Sequence, residues 1–213
     1  MTFQRARKPE EKELRRRAIL AAARTLTTEV GANDFSLTEL ALRSGISKPN
    51  LYRYFESREE VLLHVWVEEV HALVERIEQA RTKRGDTRAI VKLLVGSFVA
   101  LPLLGELMPL VGPVFERNLS VDSIVAMKRA LLVLIARVAR WLHAQLPTLS
   151  VEDCGWTCTT IMRYIAGTWP ATHPGPMVSQ ALALPELAAF CGSFELDLER
   201  FLDTLFAGLT SRR

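Results

Sequence analysis

Cysteine is scarce in this sequence of 213 residues. The three cysteines, Cys154, Cys158 and Cys191, are too few and too scattered to form a disulfide framework. Cys154 and Cys158 lie four residues apart, on one face of a helix, where small core side chains are the expected role and a redox pair is the minor alternative. His143 and His173 stand in no ligand pattern with them, so we predict no metal site and no cofactor.

Long apolar runs are also missing. No stretch approaches the roughly 20 uninterrupted apolar residues of a membrane-spanning helix. Lys92 and Pro102 interrupt the best candidate, and Arg137 and Arg140 interrupt the next. The N-terminus is charged and is not followed by the apolar stretch of a secretory signal. The sequence therefore predicts a cytoplasmic protein with no membrane partner.

Catalytic signatures are missing as well. The sequence has no HExxH, no GxSxG, no Gly-rich phosphate loop and no pair of carboxylates at acid–base spacing, so an enzyme is only weakly supported. Alternation of apolar and polar residues, which would indicate strands, is also lacking, and apolar residues recur every three or four positions. With 49% hydrophobic residues the chain can bury a real core. These features predict an all-α protein of about nine helices.

Net charge is only +3, but it is unevenly distributed. Residues 1–58 hold 12 Lys and Arg against 7 Asp and Glu, whereas residues 59–213 hold 15 against 17. A basic end is what a surface facing phosphates requires. The first eight residues, MTFQRARK, have two compatible interpretations: a solvated tail, which is the more common case, or an arm that reaches the DNA minor groove.

The chain is organised around residues 35–66. Ser36 followed by Glu39 is a capping-box signal for a short helix, and Gly45 is suited to ending it. Ser47 is suited to capping a second short helix. Two short helices joined by a Gly-containing turn have the form of a helix-turn-helix, in which the second helix enters the major groove of DNA.

The exposed side chains of the second helix suit DNA contact. Lys48 can donate to guanine, Asn50 can pair with adenine, and Pro49 can touch a thymine methyl. Tyrosine and serine hydroxyls can donate to phosphate oxygens, and an arginine at the start of the next helix can hold a phosphate beside free backbone amides. The predicted DNA-binding residues are Ser36, Thr38, Ser47, Lys48, Pro49, Asn50, Tyr52, Tyr54 and Arg58.

This stretch resembles the DNA-binding signature of the TetR family of bacterial transcriptional repressors. The residues that carry the resemblance are Leu40-Ala41, Gly45-Ile46-Ser47, Leu51-Tyr52-Arg53-Tyr54-Phe55 and Arg58. Pro49 departs from the pattern, since a small residue is common at that place. The resemblance implies a DNA-binding domain over residues 1–57, with its N-terminal arm, and a helical effector-binding and dimerisation domain over residues 58–213.

Apolar spacing and caps place the remaining helices. The first runs from Pro9 to Val30 and stops at Gly31, and the fourth is a long helix that begins at Arg58. A broken apolar segment, too apolar for a solvated loop, covers residues 101–115, and a Pro/Gly-rich loop covers residues 171–180. The other expected helices span residues 88–104, 120–145, 150–170 and 185–208.

A lone helix-turn-helix reads too few base pairs, so a homodimer is expected. The resemblance implies that the last two long helices pack with the partner's copies as a four-helix bundle. The alternative is that their apolar faces are internal core. The predicted interface residues are Cys158, Ile161, Ile165, Phe194, Leu198, Phe201 and Leu205.

The broken apolar segment favours a pocket for a small, apolar effector, because ligand sites are mostly apolar with a few polar groups. Glu116, Arg117 and Arg163 are candidate polar contacts, although surface exposure is the usual fate of such residues. Each candidate wall residue taken alone is more typical of plain core. The predicted walls are Phe98, Met108, Phe115, Trp156, Met162, Tyr164 and Trp169.

Together these patterns predict a homodimeric transcriptional regulator, a repressor at a palindromic operator in double-stranded DNA. The resemblance implies that a bound effector moves the fourth helix, separates the two recognition helices and releases the DNA. The alternative is a non-specific or architectural DNA-binding protein. The modest net charge disfavours it, because such proteins depend on many phosphate contacts.

Overall fold

The computed structural model describes residues 9–211, which form eleven α-helices joined by turns and short helical pieces. No β-strand occurs within this range, and the predicted all-α fold class is confirmed. Eleven helices replace the nine expected, because the helix expected over residues 88–104 is two helices and because short helices occur where irregular chain or a loop was expected. The basic N-terminal arm, residues 1–8, lies outside the described residues.

The N-terminal helices have the order that the sequence predicts. α1 ends at Gly31, whose φ is +82° and whose N–H donates to the Thr27 carbonyl at 2.8 Å. The helix after the second short one is long, and at 1.5 Å per residue its 22 residues span about 33 Å. These four helices are α1 (Pro9–Val30), α2 (Leu37–Arg43), α3 (Lys48–Leu51) and α4 (Arg58–Gln79).

α4 is the axis of the fold. Ten of its residues are buried, among them Val61 and Trp66 near its start and Val74 and Ile77 near its end. It packs against α1 at the N-terminal end of the molecule, and against α5, α6 and α8 in the core. One continuous helix therefore contacts both the helix-turn-helix unit and the centre of the larger helical core.

The single helix expected over residues 88–104 is wrong. α5 ends at Val99, and a new helix starts at Pro102, whose ring is suited to a first helical turn. No single helix within residues 9–211 is long and apolar enough to cross a membrane, although α5 and the chain from Pro102 to Asn118, bent by 79° from each other, pass that test as a pair. The pieces are α5 (Thr87–Val99), α6 (Pro102–Leu107), a 3-10 helix (Met108–Leu110), a π-helix (Val111–Phe115) and α7 (Glu116–Asn118).

The last third of the described chain departs from expectation after α9. A full capping box between Ser150 and Asp153 starts α9, as the sequence predicts. The expected loop over residues 171–180 instead contains the start of a helix, and the expected helix over residues 185–208 begins nine residues later than predicted. The observed elements are α8 (Val121–Gln145), α9 (Val151–Thr172), α10 (Pro176–Leu182), a 3-10 helix (Pro185–Phe190) and α11 (Phe194–Ser211).

Candidate DNA-binding surface and effector cavity

The turn between α2 and α3 is fixed by a glycine. Gly45 has a φ of +63°, a conformation that costs a residue with a side chain, and its N–H donates to the Leu42 carbonyl at 3.1 Å. The Ile46 N–H donates to the Ala41 carbonyl at 3.0 Å. These two bonds form a Schellman motif, which closes α2 and redirects the chain into α3.

α3 is shorter than the predicted recognition helix. It covers Lys48–Leu51, and a turn continues to Phe55, whose N–H donates to the Leu51 carbonyl at 3.2 Å. The Ser47 hydroxyl makes no capping bond, so the predicted side-chain cap at this position is wrong. Since Leu51 and Phe55 are both buried, the turn is anchored from behind and its other side faces solvent.

Most of the predicted DNA-binding side chains lie on the exposed surface of this unit. The Lys48 Nζ donates to the Thr38 Oγ1 at 3.3 Å, so the exposed faces of α2 and α3 adjoin. Asn50, Tyr54 and Arg58 are half-buried. The exposed members of the set are Ser36, Thr38, Ser47, Lys48, Pro49 and Tyr52.

The capping box at the start of α2 is only half formed. The Ser36 Oγ accepts from the Glu39 N–H at 3.2 Å, as predicted. The Glu39 carboxylate, however, accepts from the Arg43 Nε at 2.8 Å instead of reaching back to Ser36. Arg43 also bonds Glu29 on α1, and hydrogen bonds to these two carboxylates raise the pKa of Arg43. The arginine thus ties α2 to α1.

Arg58 has an internal role that the sequence did not predict. Its Nη1 donates to the Asn33 carbonyl at 2.9 Å and to the Phe35 carbonyl at 3.3 Å. Its Nε lies 3.6 Å from a carboxylate oxygen of Glu59. The guanidinium therefore fastens the start of α4 to the turn between α1 and α2, and a phosphate would have to share it with these carbonyls.

Several other arginines of the basic end are paired within the chain. Arg17 pairs with Glu13 at 3.2 Å, and Arg24 contacts Glu68 at 3.3 Å and Glu69 at 3.0 Å. Burial raises the pKa of the Glu69 carboxyl, and the Arg24 charge acts against that rise. The excess of basic residues at this end of the sequence thus overstates the charge available to DNA.

His64 on α4 is part of the packing behind the helix-turn-helix. Its ring meets the ring of Phe55 edge-on at 5.7 Å, and the Arg16 guanidinium lies 5.3 Å from the centre of the same Phe55 ring. Burial, with the nearby Arg16 charge, lowers the pKa of His64 to about 4. The Glu60 carboxylate, 3.9 Å away, is too distant for a hydrogen bond that would oppose this. The ring is therefore neutral at pH 7.

An apolar cavity of about 60 Å³, partly open to solvent, lies where α4, α5, α8 and α9 meet. Hydrocarbon and sulfur side chains line it, and its place in the core raises the pKa of the Cys158 thiol to about 12. Four wall residues come from the C-terminal half of α4. The walls are Val70, Leu73, Val74, Ile77, Leu94, Phe98, Met108, Leu131, Leu134, Ile135, Val138, Cys158, Ile161 and Met162.

Three of the predicted wall residues line this cavity: Phe98, Met108 and Met162. Phe115 is fully buried in the core but lies outside the cavity. Tyr164 packs toward α11, where its hydroxyl donates to the Asp197 carbonyl at 3.1 Å. The missed walls on α4 belong to its buried stripe, which the sequence shows but does not distinguish from ordinary core.

The two predicted tryptophans lie on other surfaces. Trp156 is 50% exposed on the outer face of α9. Trp169 stacks on His173 at 3.8 Å and packs against Gly105 of α6, where a Cβ atom would lie 2.2 Å from the indole ring. Of the predicted polar contacts, Glu116 pairs with Lys128 on the surface. Neither tryptophan therefore lines the candidate effector cavity, and both predictions are wrong.

Four predicted interface residues are internal core and need correction. Ile161, Ile165, Phe194 and Leu198 are each no more than 7% exposed within the single chain, because they are on the faces of α9 and α11 that pack inward. Cys158 lines the cavity. The outward face is instead a shallow groove, the α9–α11 groove, formed by Trp156, Phe201, Thr204, Leu205, Gly208 and Leu209.

A direct hydrogen bond joins the core to the helix-turn-helix unit. The Ala32 N–H donates to the Glu106 Oε1 at 2.9 Å. Just after α1, the Gly31 N–H donates to a carbonyl of the helix, whereas the Ala32 N–H donates to Glu106 on α6. The Glu106 carboxylate therefore completes the cap of α1. Glu106 directly follows Gly105, which packs on Trp169. It lies two residues before Met108, which lines the cavity. No pattern in the sequence predicts this contact.

The helix-turn-helix, backed by α1 and α4, defines this chain as a DNA-binding protein of the helix-turn-helix class. Two family models locate it further: "Bacterial regulatory proteins, tetR family" matches residues 19–65, and "Tetracyclin repressor-like, C-terminal domain" matches residues 60–213. The chain belongs to the TetR family of transcriptional regulators, as the sequence motif predicted. Regulators of this family are non-enzymatic DNA-binding proteins that act as dimers and respond to small molecules.

One curated relative is the HTH-type transcriptional activator FasR of Mycolicibacterium smegmatis, 34% identical over 84 residues. The match spans 39% of this chain and only 38% of the relative. A structure of TetR from Acinetobacter baumannii in complex with minocycline aligns with a TM-score of 0.60 at 19% identity, covering 92% of this chain and 96% of that one. A possible TetR-family regulator from Streptomyces coelicolor A3(2) aligns with a TM-score of 0.64 at 18% identity, covering 93% and 100%. At such identities these two structures support the fold alone.

Proposed function

We propose that this protein is a repressor that binds a palindromic operator as a homodimer and is released by a small, uncharged, apolar effector. The observation that carries the proposal is the exposed face shared by α2 and α3, where Lys48 adjoins Thr38. We divide the chain into a DNA-binding part, residues 1–57, and an effector-binding and dimerisation part, residues 58–213, with α4 joining the two.

On DNA, the start of α3 enters the major groove. Lys48 and Asn50 face base edges there, the former toward guanine acceptors and the latter toward adenine. Among the described residues, no side chain is hydrogen-bonded to the Asn50 amide, so its donors and acceptor are available to a base. The hydroxyls of Ser36, Ser47 and Tyr52 donate to phosphates, which sets the register without reading sequence.

Two predicted DNA contacts, Arg58 and Tyr54, have mainly structural roles in this proposal, and Pro49 keeps the apolar contact predicted for it. Arg58 mainly holds the α1–α2 turn in place, because its Nη1 already donates to two carbonyls of that turn. A phosphate contact is its minor role. Tyr54 is half-buried and packs against the core, which leaves its hydroxyl at the margin of the surface. Pro49 is exposed and lacks an amide hydrogen, so it offers the groove an apolar contact only.

The homodimer forms through the α9–α11 groove. Trp156, Phe201, Leu205 and Leu209 are apolar side chains on its surface, whereas the inward residues of the same helices are already buried. Aromatic residues are enriched at the centre of protein interfaces. A two-fold axis through this face places two helix-turn-helix units on two half-sites, and the operator then shares the symmetry of the dimer.

The effector occupies the apolar cavity. Its present volume of about 60 Å³ is well below the roughly 300 Å³ at which ligand pockets begin, so a ligand has to push the walls apart. Four walls belong to α4, and Met108 follows α6. Displacing them moves the start of α4, held by Arg58, and loosens the Glu106–Ala32 bond, so the effector selects a state that fits DNA poorly.

The sign of regulation depends on where the operator lies relative to the promoter. The relative FasR is named an activator, but its match covers only 84 residues. An operator that overlaps a promoter gives repression, and one placed upstream gives activation. The sign therefore depends on the position of the operator, and release from DNA works in the same way in both cases. We favour repression because the family resemblance is to repressors. A reporter driven by the identified operator, with and without this protein, decides the sign.

The first test is selection of bound fragments from sheared DNA of the source organism, with binding curves at two salt concentrations. An enriched, imperfectly palindromic site, bound by two protomers, is the expected result. Binding without any enriched site that weakens steeply with salt would instead indicate an architectural protein. Adding uncharged alkyl probes such as 1-decanol to the operator complex tests release; a wide panel without effect would contradict the effector proposal.

A further inference from the structure

A surface cleft of about 430 Å³ lies where the end of α9 and the start of α11 meet the turn between α5 and α6. Its volume falls within the roughly 300–1,000 Å³ of small-molecule sites, whereas the effector cavity of about 60 Å³ has to expand before it holds a ligand. The cleft and the effector cavity share no wall residue. The cleft is therefore a separate candidate site, and it is already large enough for a ligand.

Three aromatic rings line the cleft. The Trp169 indole and the His173 imidazole are stacked, with ring centroids 3.8 Å apart and 11° between their planes, and Phe194 meets the indole edge-on at 4.8 Å. Trp169 is held in place by its close packing on Gly105. His173 is exposed, so the face of its ring that Trp169 does not cover is open. A flat aromatic ligand can extend this stack.

The polar side chains around these rings offer hydrogen-bond acceptors. The His173 Nδ1 lies 3.1 Å from the Trp169 carbonyl oxygen, so Nδ1 carries the hydrogen and donates, and Nε2 of the neutral ring is an acceptor. The Thr172 hydroxyl already donates to carbonyls of α9. The Glu195 carboxylate accepts from no other group in the described part of the chain. The cleft therefore favours a ligand that donates hydrogen bonds.

The charge of the cleft is negative. Glu195 lines it, and Asp197 adjoins it, since a Cβ atom on the lining residue Gly192 would lie 2.6 Å from the Asp197 Oδ2. Among the described residues, no lysine or arginine lines the cleft. Apolar surface is also present, because Val99 and Pro102 are lining residues that are exposed. Since carboxylates attract a positive charge, the ligand that fits best is a cation with an apolar body.

We infer that this cleft is a second ligand site, which binds a flat aromatic cation. The ring of the ligand stacks on the open face of the His173 imidazole, and its protonated nitrogen group donates to the Glu195 carboxylate. This inference goes beyond the proposed function, because the cleft is separate from the effector cavity and holds no predicted DNA contact. It also gives Trp169, which the sequence predicts as a pocket wall, a place in a different site from the predicted one.

The test is isothermal titration calorimetry of the full-length protein with two probes of similar size. The first probe is 4-aminoquinoline, which is protonated at pH 7, and the second is 4-methylquinoline, which is neutral there. We expect one 4-aminoquinoline per chain, bound at least about fivefold more tightly than 4-methylquinoline. Saturating 1-decanol should leave this affinity unchanged, because the two sites are separate. Competition between 1-decanol and 4-aminoquinoline would place the quinoline in the effector cavity and overturn the inference.

Two substitutions of exposed side chains locate the binding. Glu195→Gln removes the charge and should weaken 4-aminoquinoline about fivefold and 4-methylquinoline little, and its matched control is Glu186→Gln, which removes an exposed carboxylate outside the cleft. His173→Ala removes the stacking face and should weaken both quinolines about threefold, and its matched control is His71→Ala, an exposed histidine on α4. Melting curves check that the four variants keep their fold.

Affinities of Glu195→Gln and His173→Ala equal to those of their controls would overturn the inference, and so would a lack of detectable 4-aminoquinoline binding. Operator selection does not depend on this cleft, so the proposed function would stand in either case.

Discussion

The helix-turn-helix and the helical core carry their candidate sites in different ways. At the DNA-facing end, the candidate contacts lie close together in sequence, from Ser36 to Arg58, on α2, on α3 and its following turn, and at the start of α4. In the core, the cavity walls extend from Val70 on α4 to Met162 on α9 and come from helices far apart in the chain. The first site is built locally, and the second exists only once the helices have packed.

This difference has an energetic consequence. The exposed residues of α3 contribute little to folding, so their substitution should change DNA binding and leave stability nearly intact. Most of the cavity walls are buried, so their substitution should change stability first and ligand response second.

The largest effect is expected for Leu134→Ala in the cavity wall. Leu134 is 1% exposed, and truncating a buried leucine costs about 2–5 kcal/mol of unfolding free energy, as lost burial and an enlarged cavity. Leu132→Ala, two residues away on the same helix and 66% exposed, should cost less than about 0.5 kcal/mol. Urea unfolding of both variants measures this. Equal losses for the two would show that the cavity wall is not packed as described.

The next effect concerns binding and not stability. Asn50→Ala should weaken operator binding by about 1–3 kcal/mol and relax specificity at one base pair, because the adenine contact is lost. Tyr52→Phe is the matched control, since it removes one hydroxyl from the same helix and should weaken all DNA sequences alike. Fluorescence anisotropy on operator and on scrambled DNA separates the two cases. A loss for Asn50→Ala that is equal on both DNAs would contradict base reading.

The sequence predicted most of the DNA-facing end because its signals are local. Caps such as Ser36 with Glu39, and a turn glycine such as Gly45, act within a few residues, so spacing alone reveals them. The sequence did not predict the partners of side chains that have more than one possible hydrogen bond. Glu39 bonds Arg43 and not the Ser36 amide, and Arg58 bonds two carbonyls of the α1–α2 turn. Both choices depend on residues brought near by folding.

In the core, the sequence predicted helices but not the direction of their faces. Ile161 and Trp156 are both apolar residues of α9, yet one lines the cavity and the other faces solvent. A helix with apolar residues on more than one side does not say which side meets its own chain and which meets a partner. Periodicity therefore predicted α9 and the presence of α11, although not the residue at which α11 begins. The assignment of Ile161, Ile165, Phe194 and Leu198 to the dimer interface was wrong.

A smaller effect is expected where the two regions meet. Glu106→Ala removes the acceptor of the Ala32 N–H, and Ala32 is only 4% exposed, so the unpaired amide should cost about 1–2 kcal/mol. Glu106→Gln keeps an oxygen acceptor and should recover most of that loss. Hydrogen exchange at the Ala32 amide should accelerate roughly tenfold in the first variant and little in the second. Unchanged exchange in both would mean that the core does not hold this end of α1.

The smallest expected effect is a pH dependence of the free energy of unfolding that arises from His64, behind the helix-turn-helix. His64 is packed against Phe55 and its pKa is lowered to about 4 from an ordinary value of 6.5, so the unfolded chain binds a proton between these values and the folded chain does not. Unfolding is thus favoured as pH falls from about 6.5 to 4, and the stabilisation is complete above that range. Because the side chain is 35% exposed, the loss of unfolding free energy should be only about 1 kcal/mol.

His64→Phe keeps an aromatic ring against Phe55 without the titration, so the free energy of unfolding of this variant should depend less on pH over this window. If wild type and variant lost stability in parallel, burial of the neutral imidazole would have to be rejected as a source of stability at this end of the molecule.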